Sequence, residues 1–425
     1  FECQTLVIAA IAMYSCLLGI WTTRNILYNY RRSHADEVKA EEFFFRYNVE
    51  NHLIIKDTHY WNALTIVTNM FRPKNLIHPV HFTDLRWYPW NLSTNAERPF
   101  STDKDLKAKL RVAKEWNIID NARMSFHNLY QEIFRFSRHY LHHAKSGDWH
   151  RIPLYPITLH VKPALVSILD PDKVRTVFGV PKMIIFAEAM FFWPLFSTYF
   201  TEGNSPLLWN YETLNGGWNR LNNEWYSKFS AFKPIFNLDW SEFDMRVYYS
   251  MWSDIIDQVE TFFCFCGRYH PTRTYPTAST NPKKLRSLWQ WIRHSYFNSP
   301  ANAVMVVTVL LALGFSVDAN SFIKLMGDDV LFDVLESIPI SQWAEFLEAF
   351  AAEAKWRFNS NLSSKKCGVS PTIEGATILS YTNRHGHPTR PIESLLAQLL
   401  HPKSLRDTKL RLMARAVGIY YASAG

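Results

Sequence analysis

The sequence is poor in glycine and in cysteine. It has 14 glycines among 425 residues, which is less than half of the usual share of about 7%. Neither G-x-G-x-x-G nor G-x-x-x-x-G-K-[ST] occurs in it, and this disfavours a nucleotide site built on a glycine-rich loop. The five cysteines are too few and too unevenly spaced for a disulfide framework, which favours a reducing compartment.

Two of the cysteines lie close together. Cys264 and Cys266 are two positions apart in an apolar run. Because this spacing matches no zinc-binding pattern, we predict that both are buried residues of a strand or helix.

Charged residues are also scarce, at 20%, whereas hydrophobic residues reach 48% and aromatic residues 16%. This composition excludes general disorder and predicts a large core in one elaborate domain or in two or three. Lys and Arg number 46 against 38 Asp and Glu, a net charge of +8. Such a charge suits an anionic partner but does not by itself distinguish a nucleic acid from an anionic membrane.

The segment from Thr5 to Thr23 has no charged residue and is long enough for a membrane span. It lacks a basic start and a small-residue cleavage site, so it is a poor signal peptide. Two interpretations remain, a membrane anchor or a buried helix that packs on the main body. We expect the buried helix and no stable membrane association.

A stretch of 57 residues, Thr261 to Val317, has no Asp or Glu and contains six basic residues with aromatic residues among them. Such a surface could follow phosphates and stack on bases. A basic surface helix without a ligand explains the composition equally well.

Two segments place carboxylates at the ends of apolar runs. Ile235, Phe236 and Leu238 predict a buried strand that ends at Asp239, and Asp244 follows at the start of a helix. Further along, an apolar strand from Phe322 to Met326 meets Gly327-Asp328-Asp329, and an apolar run from Val330 to Leu335 follows. This second segment predicts a β-hairpin whose turn presents two carboxylates.

Each segment alone is a weak signal, but the pair is specific. Adjacent strands would bring Asp239 against Asp328, and clustered carboxylates repel each other unless cations neutralise them. Ligand sets made only of oxygen favour Mg²⁺ or Mn²⁺. Two such ions can activate an attacking oxygen and stabilise a leaving oxygen in phosphoryl transfer, the chemistry of polymerases and nucleases.

The acid-bearing strand DWSEFD followed by a GDD hairpin resembles motifs A and C of RNA-dependent RNA polymerases. Further segments resemble those of partitiviruses and related double-stranded RNA viruses, in the order of that family. They are residues 78–100, 122–134, 173–182 (motif F), 361–370 (motif D) and 378–402 (motif E and the start of the thumb).

The resemblance implies an α+β right-hand fold with fingers, a palm that holds an antiparallel sheet, and a helical thumb. The expected divisions are an N-terminal helical segment (1–60), fingers (61–232), palm motif A (233–257), a fingers insertion (258–300), palm with the end of motif B and motifs C and D (301–382), and motif E with the start of a thumb that we expect to be truncated (383–425).

The resemblance also assigns roles to residues. Asp239 and Asp328 would hold two Mg²⁺ or Mn²⁺ ions, with Asp329 supporting. Asp244 would contact the ribose 2′-hydroxyl with help from Asn302, and Arg175 would clamp the triphosphate with charge added by Lys173. Lys366 would be the general acid for the leaving pyrophosphate.

Motif B departs from the family pattern. The expected Ser-Gly loop upstream of Asn302 is not present, and the chain reads YFNSPANAV. Either a stretch is omitted between Pro300 and Ala301, or the polymerase is defective. We favour an omission because the other motifs are intact, and this interpretation predicts a break between the two residues.

The expected function is therefore synthesis of RNA on an RNA template, in transcription and replication of a double-stranded RNA genome. The implied partners are viral RNA template and product, nucleoside triphosphates and the viral capsid protein, and the expected location is inside the virion in the host cytoplasm. Two alternatives remain, a two-metal nuclease, which has no need of a triphosphate clamp, and a non-enzymatic RNA-binding protein of the particle.

Overall fold

The structure is a computed structural model that describes residues 8–9, 11–13, 15–16, 19–201, 205–229, 232–293, 299–334, 336, 338–363, 366–402 and 409–423. The helices are α1 (Ile20–Asn29), α2 (Glu37–Phe45), α3 (Thr58–Phe71), α4 (Lys104–Glu115), α5 (Tyr130–Ser146), α6 (Lys182–Thr201), α7 (Gly217–Lys228), α8 (Phe243–Arg246), α9 (Tyr249–Glu260), α10 (Pro282–Ile292), α11 (Ser299–Ala312), α12 (Trp343–Phe358), α13 (Ile392–Leu400) and α14 (Lys409–Ala422).

The strands are β1 (Tyr30–Arg32), β2 (Thr158–Pro163), β3 (Leu165–Ser167), β4 (Val174–Gly179), β5 (Ile235–Ser241), β6 (Ile323–Met326), β7 (Asp329–Phe332), β8 (Asn361–Leu362), β9 (Gly368–Ser370), β10 (Thr377–Ile378), β11 (Tyr381–Arg384) and β12 (His387–Thr389). Single turns of 3₁₀ helix occur at Phe82–Trp87, Phe100–Thr102, Trp149–Arg151, Leu208–Asn210, Thr213–Asn215 and Ile340–Gln342.

The central sheet has five strands in the order β6-β7-β5-β8, and β9 also pairs with β5. All of its pairings are antiparallel, which confirms the predicted antiparallel sheet. It draws its strands from the two ranges predicted to form the palm, 233–257 and 301–382. The exact division boundaries stay predictions.

Both faces of this sheet are covered, and the alternation of side chains along a strand decides which residue faces which layer. On one face the rings of Phe236 and Phe332 stack 5.4 Å apart, and Phe346 and Phe350 of α12 pack over them. On the other face Ile235 and Leu331 join a separate cluster with residues of α7 and of the 373–378 segment. Apolar residues on both sides of β5 follow from this double burial.

Helix α11 lies at the centre of the molecule. It is apolar on all sides, and such a helix is stable only when it is surrounded. Its residues from Ser299 to Leu310 are buried, and α11 packs against α3, α9, α12 and β6. Pro300 and Ala301 are successive residues in it, and an omission between them stays a prediction.

A layer of aromatic side chains holds the helices before the sheet together. The ring of Phe186 in α6 is fully buried and contacts the rings of Phe82, Trp90 and Phe134. Among the described residues, α6 is also the one helix long and apolar enough to cross a membrane, but 56% of its most apolar window is buried inside the protein. Its apolar character is that of a core helix.

The N-terminal segment differs from the expectation. Residues 1–7 and several up to 18 lie outside the described residues, and the described part packs only lightly. Trp21 is 71% exposed, whereas Ile26 is buried against Leu396 and Leu400 of α13. The prediction of a buried helix is therefore wrong for most of the described side chains. Only Thr23 and Ile26 of α1 are buried against the rest of the protein.

Candidate active site

Two aspartates face each other at one end of the central sheet. In the antiparallel register of β5 and β7, Asp239 lies opposite Asp329. Positions two apart on a strand share a face, so Asp239 lies on the face of Ile235, and Asp329 on the face of Leu331. The predicted meeting of the two strands is confirmed, with Asp329 rather than Asp328 as the direct partner of Asp239.

Asp328 enters the site from the hairpin turn. Met326 pairs with Asp329, which leaves Gly327 and Asp328 as a two-residue turn. Gly327 has a φ of 66°, a conformation that glycine adopts without steric cost and that such tight hairpins require. The predicted hairpin is confirmed, although its second strand begins at Asp329 and not at Val330.

The three carboxylates form one cluster. One oxygen of each of Asp239, Asp328 and Asp329 lies within 4.8 Å of the others, and Asp239 is only 5% exposed. Burial, followed by the charges of Asp239 and Asp328, raises the pKa of Asp329 to about 7. Partial desolvation, together with the charge of Asp239, raises the pKa of Asp328. The fold thus holds negative charges closer than they would remain without a cation.

Lys366 is the cation that the chain itself supplies. Its Nζ donates a hydrogen bond of 3.0 Å to Asp239, while 57% of the side chain remains exposed. Burial acts to lower the pKa of Lys366, but the hydrogen bond and charge of Asp239 outweigh it and raise that pKa. The prediction that Lys366 belongs to the site is consistent with this geometry, and its role in proton transfer stays a prediction.

The loop after β8 wraps the backbone of Asp239. The Ser363 amide donates to the Asp239 carbonyl at 2.8 Å, and the Cys367 thiol lies 3.5 Å from the same oxygen. Asn237 donates its side-chain amide to the Lys366 carbonyl at 2.7 Å. No local pattern pointed to Cys367 or Asn237, because contacts across 128 and 129 residues depend on strand pairing.

Asn302 supports the hairpin turn through buried hydrogen bonds. It is fully buried, accepts a hydrogen bond of 2.8 Å from the Trp240 indole and donates one of 2.9 Å to the Gly327 carbonyl. It therefore links β5 to the turn that presents Asp328. In this arrangement the Asn302 amide bonds to groups of the protein itself, and a contact with ribose stays a prediction.

The remaining predicted residues lie in two places. Asp244 is exposed on α8, directly after β5, and its charge is close enough to raise the pKa of Asp328. Arg175 and Lys173 are exposed and belong to another part of the fold, at strand β4. Arg175 lies opposite Lys162 of β2, so this two-stranded ribbon presents basic groups together. Their role in holding triphosphate stays a prediction.

The donor set of the acid cluster fits a hard divalent cation. It offers carboxylate oxygens only, which suits Mg²⁺ or Mn²⁺ and not a thiophilic metal. Burial, together with the charges of the neighbouring carboxylates, raises the pKa values of Asp328 and Asp329, and a bound cation would oppose this effect.

Comparison with known proteins identifies the family of this chain. The chain is 31% identical over 465 residues to the RNA-directed RNA polymerase of White clover cryptic virus 1, and the match covers 93% of this chain and 75% of that protein. The chain belongs to the RNA-directed RNA polymerases of partitivirus-type double-stranded RNA viruses. The viral polymerase acts on an RNA template with nucleoside triphosphates as substrates.

A second relative is more distant. The polymerase is 25% identical over 421 residues to the RNA-directed RNA polymerase of Atkinsonella hypoxylon virus, with 81% of this chain and 61% of that protein covered. No family model matches the chain.

The fold itself is that of a right-hand polymerase. The structure resembles the Sicinivirus 3Dpol RNA-dependent RNA polymerase with a TM-score of 0.61 over 94% of this chain and 91% of that one, at 14% sequence identity. This confirms the predicted fold class, and the fold implies use of a divalent metal.

The alignment with the first relative also shows a difference in length. It has 465 positions but uses 93% of the 425 residues of this polymerase, or about 395, so about 70 positions lie opposite residues that this chain lacks. The relative is therefore longer inside the matched region.

Proposed function

We propose that this polymerase joins nucleotides by a two-metal mechanism on an RNA template and so transcribes and replicates a double-stranded RNA genome. The observation that carries the proposal is the cluster of Asp239, Asp328 and Asp329 at the ends of paired strands. Rigid strands fix these oxygens before substrate arrives, and such preorganisation is what phosphoryl transfer needs from a protein.

Asp239 and Asp328 would hold two Mg²⁺ or Mn²⁺ ions, with Asp329 supporting. When bound, these ions supply charge stabilisation at the attacking and leaving oxygens. The acid cluster needs its carboxylates ionised to bind cations, and the raised pKa of Asp329 would make cation binding depend on pH near neutrality. Asn302 maintains the position of the turn through the Gly327 carbonyl.

Lys366 would hold the proton that the leaving pyrophosphate receives. Its raised pKa keeps it protonated at neutral pH, and its exposed side chain can swing from Asp239 toward a substrate. A positioned ammonium near developing negative charge then acts as general acid.

Substrate recognition would use the residues around this centre. Asp244 is placed beside the acid cluster, where a carboxylate can accept a hydrogen bond from a ribose 2′-hydroxyl, the group that distinguishes RNA from DNA. The exposed guanidinium of Arg175 can form forked bonds to phosphate oxygens, and Lys173 adds charge.

The test is RNA synthesis in vitro. Two forms of the polymerase are compared, the chain itself and a chimera that carries, after Pro300, the segment that the White clover cryptic virus 1 polymerase has at this position. Each receives a short RNA template, labelled nucleoside triphosphates and Mg²⁺ or Mn²⁺. We expect template-length product from the chimera and none from its Asp328→Ala variant.

Other outcomes would contradict the proposal. Shortening of the RNA, dependent on Asp328, would indicate a nuclease. Salt-dependent RNA binding without synthesis in either form, unchanged by Asp328→Ala, would indicate a binding protein.

We also propose that the polymerase works inside the virion, in the host cytoplasm, in contact with the capsid protein. The support is its family, whose relatives are polymerases of double-stranded RNA viruses. Purified particles should retain the polymerase after a high-salt wash, and its loss into the soluble fraction would contradict this.

A further inference from the structure

A second group of metal-ligating side chains lies in the helical region that precedes and follows the acid-bearing strand. His78, Cys264 and Cys266 each place one ligand atom within 4.8 Å of the other two. The polymerase chemistry uses none of them. Cys264 is half-buried and Cys266 is exposed, and neither lies in a helix or strand. The prediction that both are buried residues of a strand or helix is therefore wrong.

The two cysteine thiols lie close together. The Sγ atoms of Cys264 and Cys266 are within 4.8 Å of each other, while the ring of Phe265 between them packs toward Phe191 and Trp289. Cys264 and Cys266 are thus presented together.

A backbone bridge brings His78 to this pair. The Ile77 amide donates to the Phe262 carbonyl, and the Cys264 amide donates to the Ile77 carbonyl, both at 2.8 Å. Beyond the cysteines, the His270 amide donates to the Pro79 carbonyl at 2.8 Å. Because hydrogen bonds flank His78 on both sides, its ring is held beside the cysteines. His78 and Cys264 are 186 positions apart in the sequence.

The turn after the cysteines brings two backbone segments into close contact. Gly267 has a φ of 90°, and a Cβ there would lie 2.3 Å from the Thr280 carbonyl oxygen. The Thr280 amide also donates to the Gly267 carbonyl at 2.7 Å. Because the backbones at Gly267 and Thr280 lie so close together, the chain changes direction directly after Cys266. This restricts where the Cys266 thiol can lie.

The distances are near those of a metal site. The Cys266 Sγ lies 3.9 Å from the His78 Nδ1. Bond lengths of about 2.3 Å for Zn–S and about 2.0–2.1 Å for Zn–N imply a separation of about 3.6 Å in a tetrahedral site. A shift of a few tenths of an ångström closes this pair, and the His78 ring gives up its 3.3 Å contact with the Arg268 carbonyl.

We propose that His78, Cys264 and Cys266 bind one Zn²⁺ ion, which clips the loop of residues 262–281 to the segment around His78. Two thiolates and one imidazole form a ligand set for a thiophilic cation, in contrast to the oxygen-only acid cluster. Three protein ligands leave the fourth position to water. The clip acts on stability and not on the chemistry of nucleotide transfer.

The test begins with the metal content of the whole polymerase, purified without chelator and dialysed against metal-free buffer. We expect one zinc per chain by elemental mass spectrometry, and its loss in the Cys264→Ser/Cys266→Ser double variant and in His78→Ala. Cys16→Ser, which removes an exposed cysteine elsewhere, should keep the zinc. Asp328→Ala should keep it as well, which separates this site from the acid cluster.

A second measurement needs no variant and therefore survives a folding defect. Purified polymerase is treated with N-ethylmaleimide with and without a zinc chelator, and modified peptides are quantified. We expect Cys264 and Cys266 to be protected until chelator is added, whereas Cys16 reacts in both cases. Any one of three results would overturn the proposal: equal reaction of all these cysteines without chelator, zinc that persists in the double variant, or a Cys264–Cys266 disulfide in the protein as purified.

Discussion

The acid cluster and the His78–Cys264–Cys266 cluster are two ligand groups built by different means. The acid cluster rests on neighbouring strands of one sheet, and two of its members are adjacent in sequence. The His78–Cys264–Cys266 cluster joins two loops through a few backbone hydrogen bonds. Regular strand pairing gives the acid cluster its geometry before any cation binds. The loops of the His78–Cys264–Cys266 cluster are joined by a few backbone hydrogen bonds, and the proposed zinc ion would add a further link between them. Position on rigid elements suits catalysis, and position on loops suits a clip.

The largest effect should come from the acid cluster. Asp239→Asn keeps the size of the side chain but removes a buried charge that would bind cations. We expect synthesis by the chimera to fall by about 10³-fold or more, equivalent to several kcal/mol of transition-state stabilisation. Extension of a labelled primer or template-directed product per minute measures it. Zinc content should not change, and Glu348→Ala, an exposed acid on α12, should keep full activity.

A converse result would break the comparison between the clusters. If the Cys264→Ser/Cys266→Ser double variant lost synthesis as completely as Asp239→Asn while remaining folded, the thiol and imidazole groups would belong to the catalytic machinery.

Lys366→Ala should have the next largest effect. Loss of a general acid slows a reaction by about 10²–10⁴-fold, and single-nucleotide addition under rapid mixing measures the rate. Lys366→Arg keeps the positive charge beside Asp239 but does not release its proton, so it should remain slow. Lys355→Ala, which removes a lysine bonded to Asn359 on the surface, is the control. Full recovery of the rate in Lys366→Arg would show that charge alone is needed.

The pH dependence of stability should report the crowding of the acid cluster. Because the pKa of Asp329 is raised to about 7 from an ordinary value of 3.8, the metal-free folded state binds a proton there that the unfolded state has released. The contribution of Asp329 to stability is therefore greatest at low pH and declines as the pH rises from about 4 to about 7. Tm between pH 4 and 8 measures it.

Two variants make this test specific. Asp329→Asn should reduce the decline of Tm between about pH 4 and pH 7. Asp333, whose pKa burial raises to about 6, contributes a decline of the same sign at lower pH, so Asp333→Asn should change only the part below about pH 6. If the slope of Tm against pH were the same in Asp329→Asn as in the unchanged polymerase, the pKa of Asp329 would not be raised in the folded state.

The smallest effect concerns the loop of the zinc clip. Gly267→Ala adds a Cβ against the Thr280 carbonyl, whereas Gly314, with a φ of 87°, has open space at the same point. Both substitutions force alanine into a left-handed conformation at a cost of about 1 kcal/mol. We expect Gly314→Ala to lower the free energy of unfolding by that amount and Gly267→Ala to lower it further and to weaken zinc binding. Equal losses, with equal zinc affinity, would contradict the clip geometry.

The residues around the active site separate what can be predicted locally from what cannot. The strand that carries Asp239 and the hairpin with its Gly327-Asp328 turn follow from apolar runs and turn chemistry within a few residues, and both are confirmed. The strand ends at Ser241, two residues beyond the predicted end at Asp239. The register that sets Asp239 against Asp329 and the buried bridge made by Asn302 are different. They depend on which residues of distant segments meet, and a shift of one residue would reverse every face.

The sequence by itself determined the family, the order of its motifs and the acids of the site, because each is encoded by neighbouring residues. Only the tertiary structure decided which side chains surround those acids and that His78 lies beside Cys264 and Cys266. It also decided that most of the described side chains of the apolar N-terminal segment stay exposed. The physical reason is the same in each case: burial and long-range contact depend on how elements pack against one another, and composition does not specify that packing.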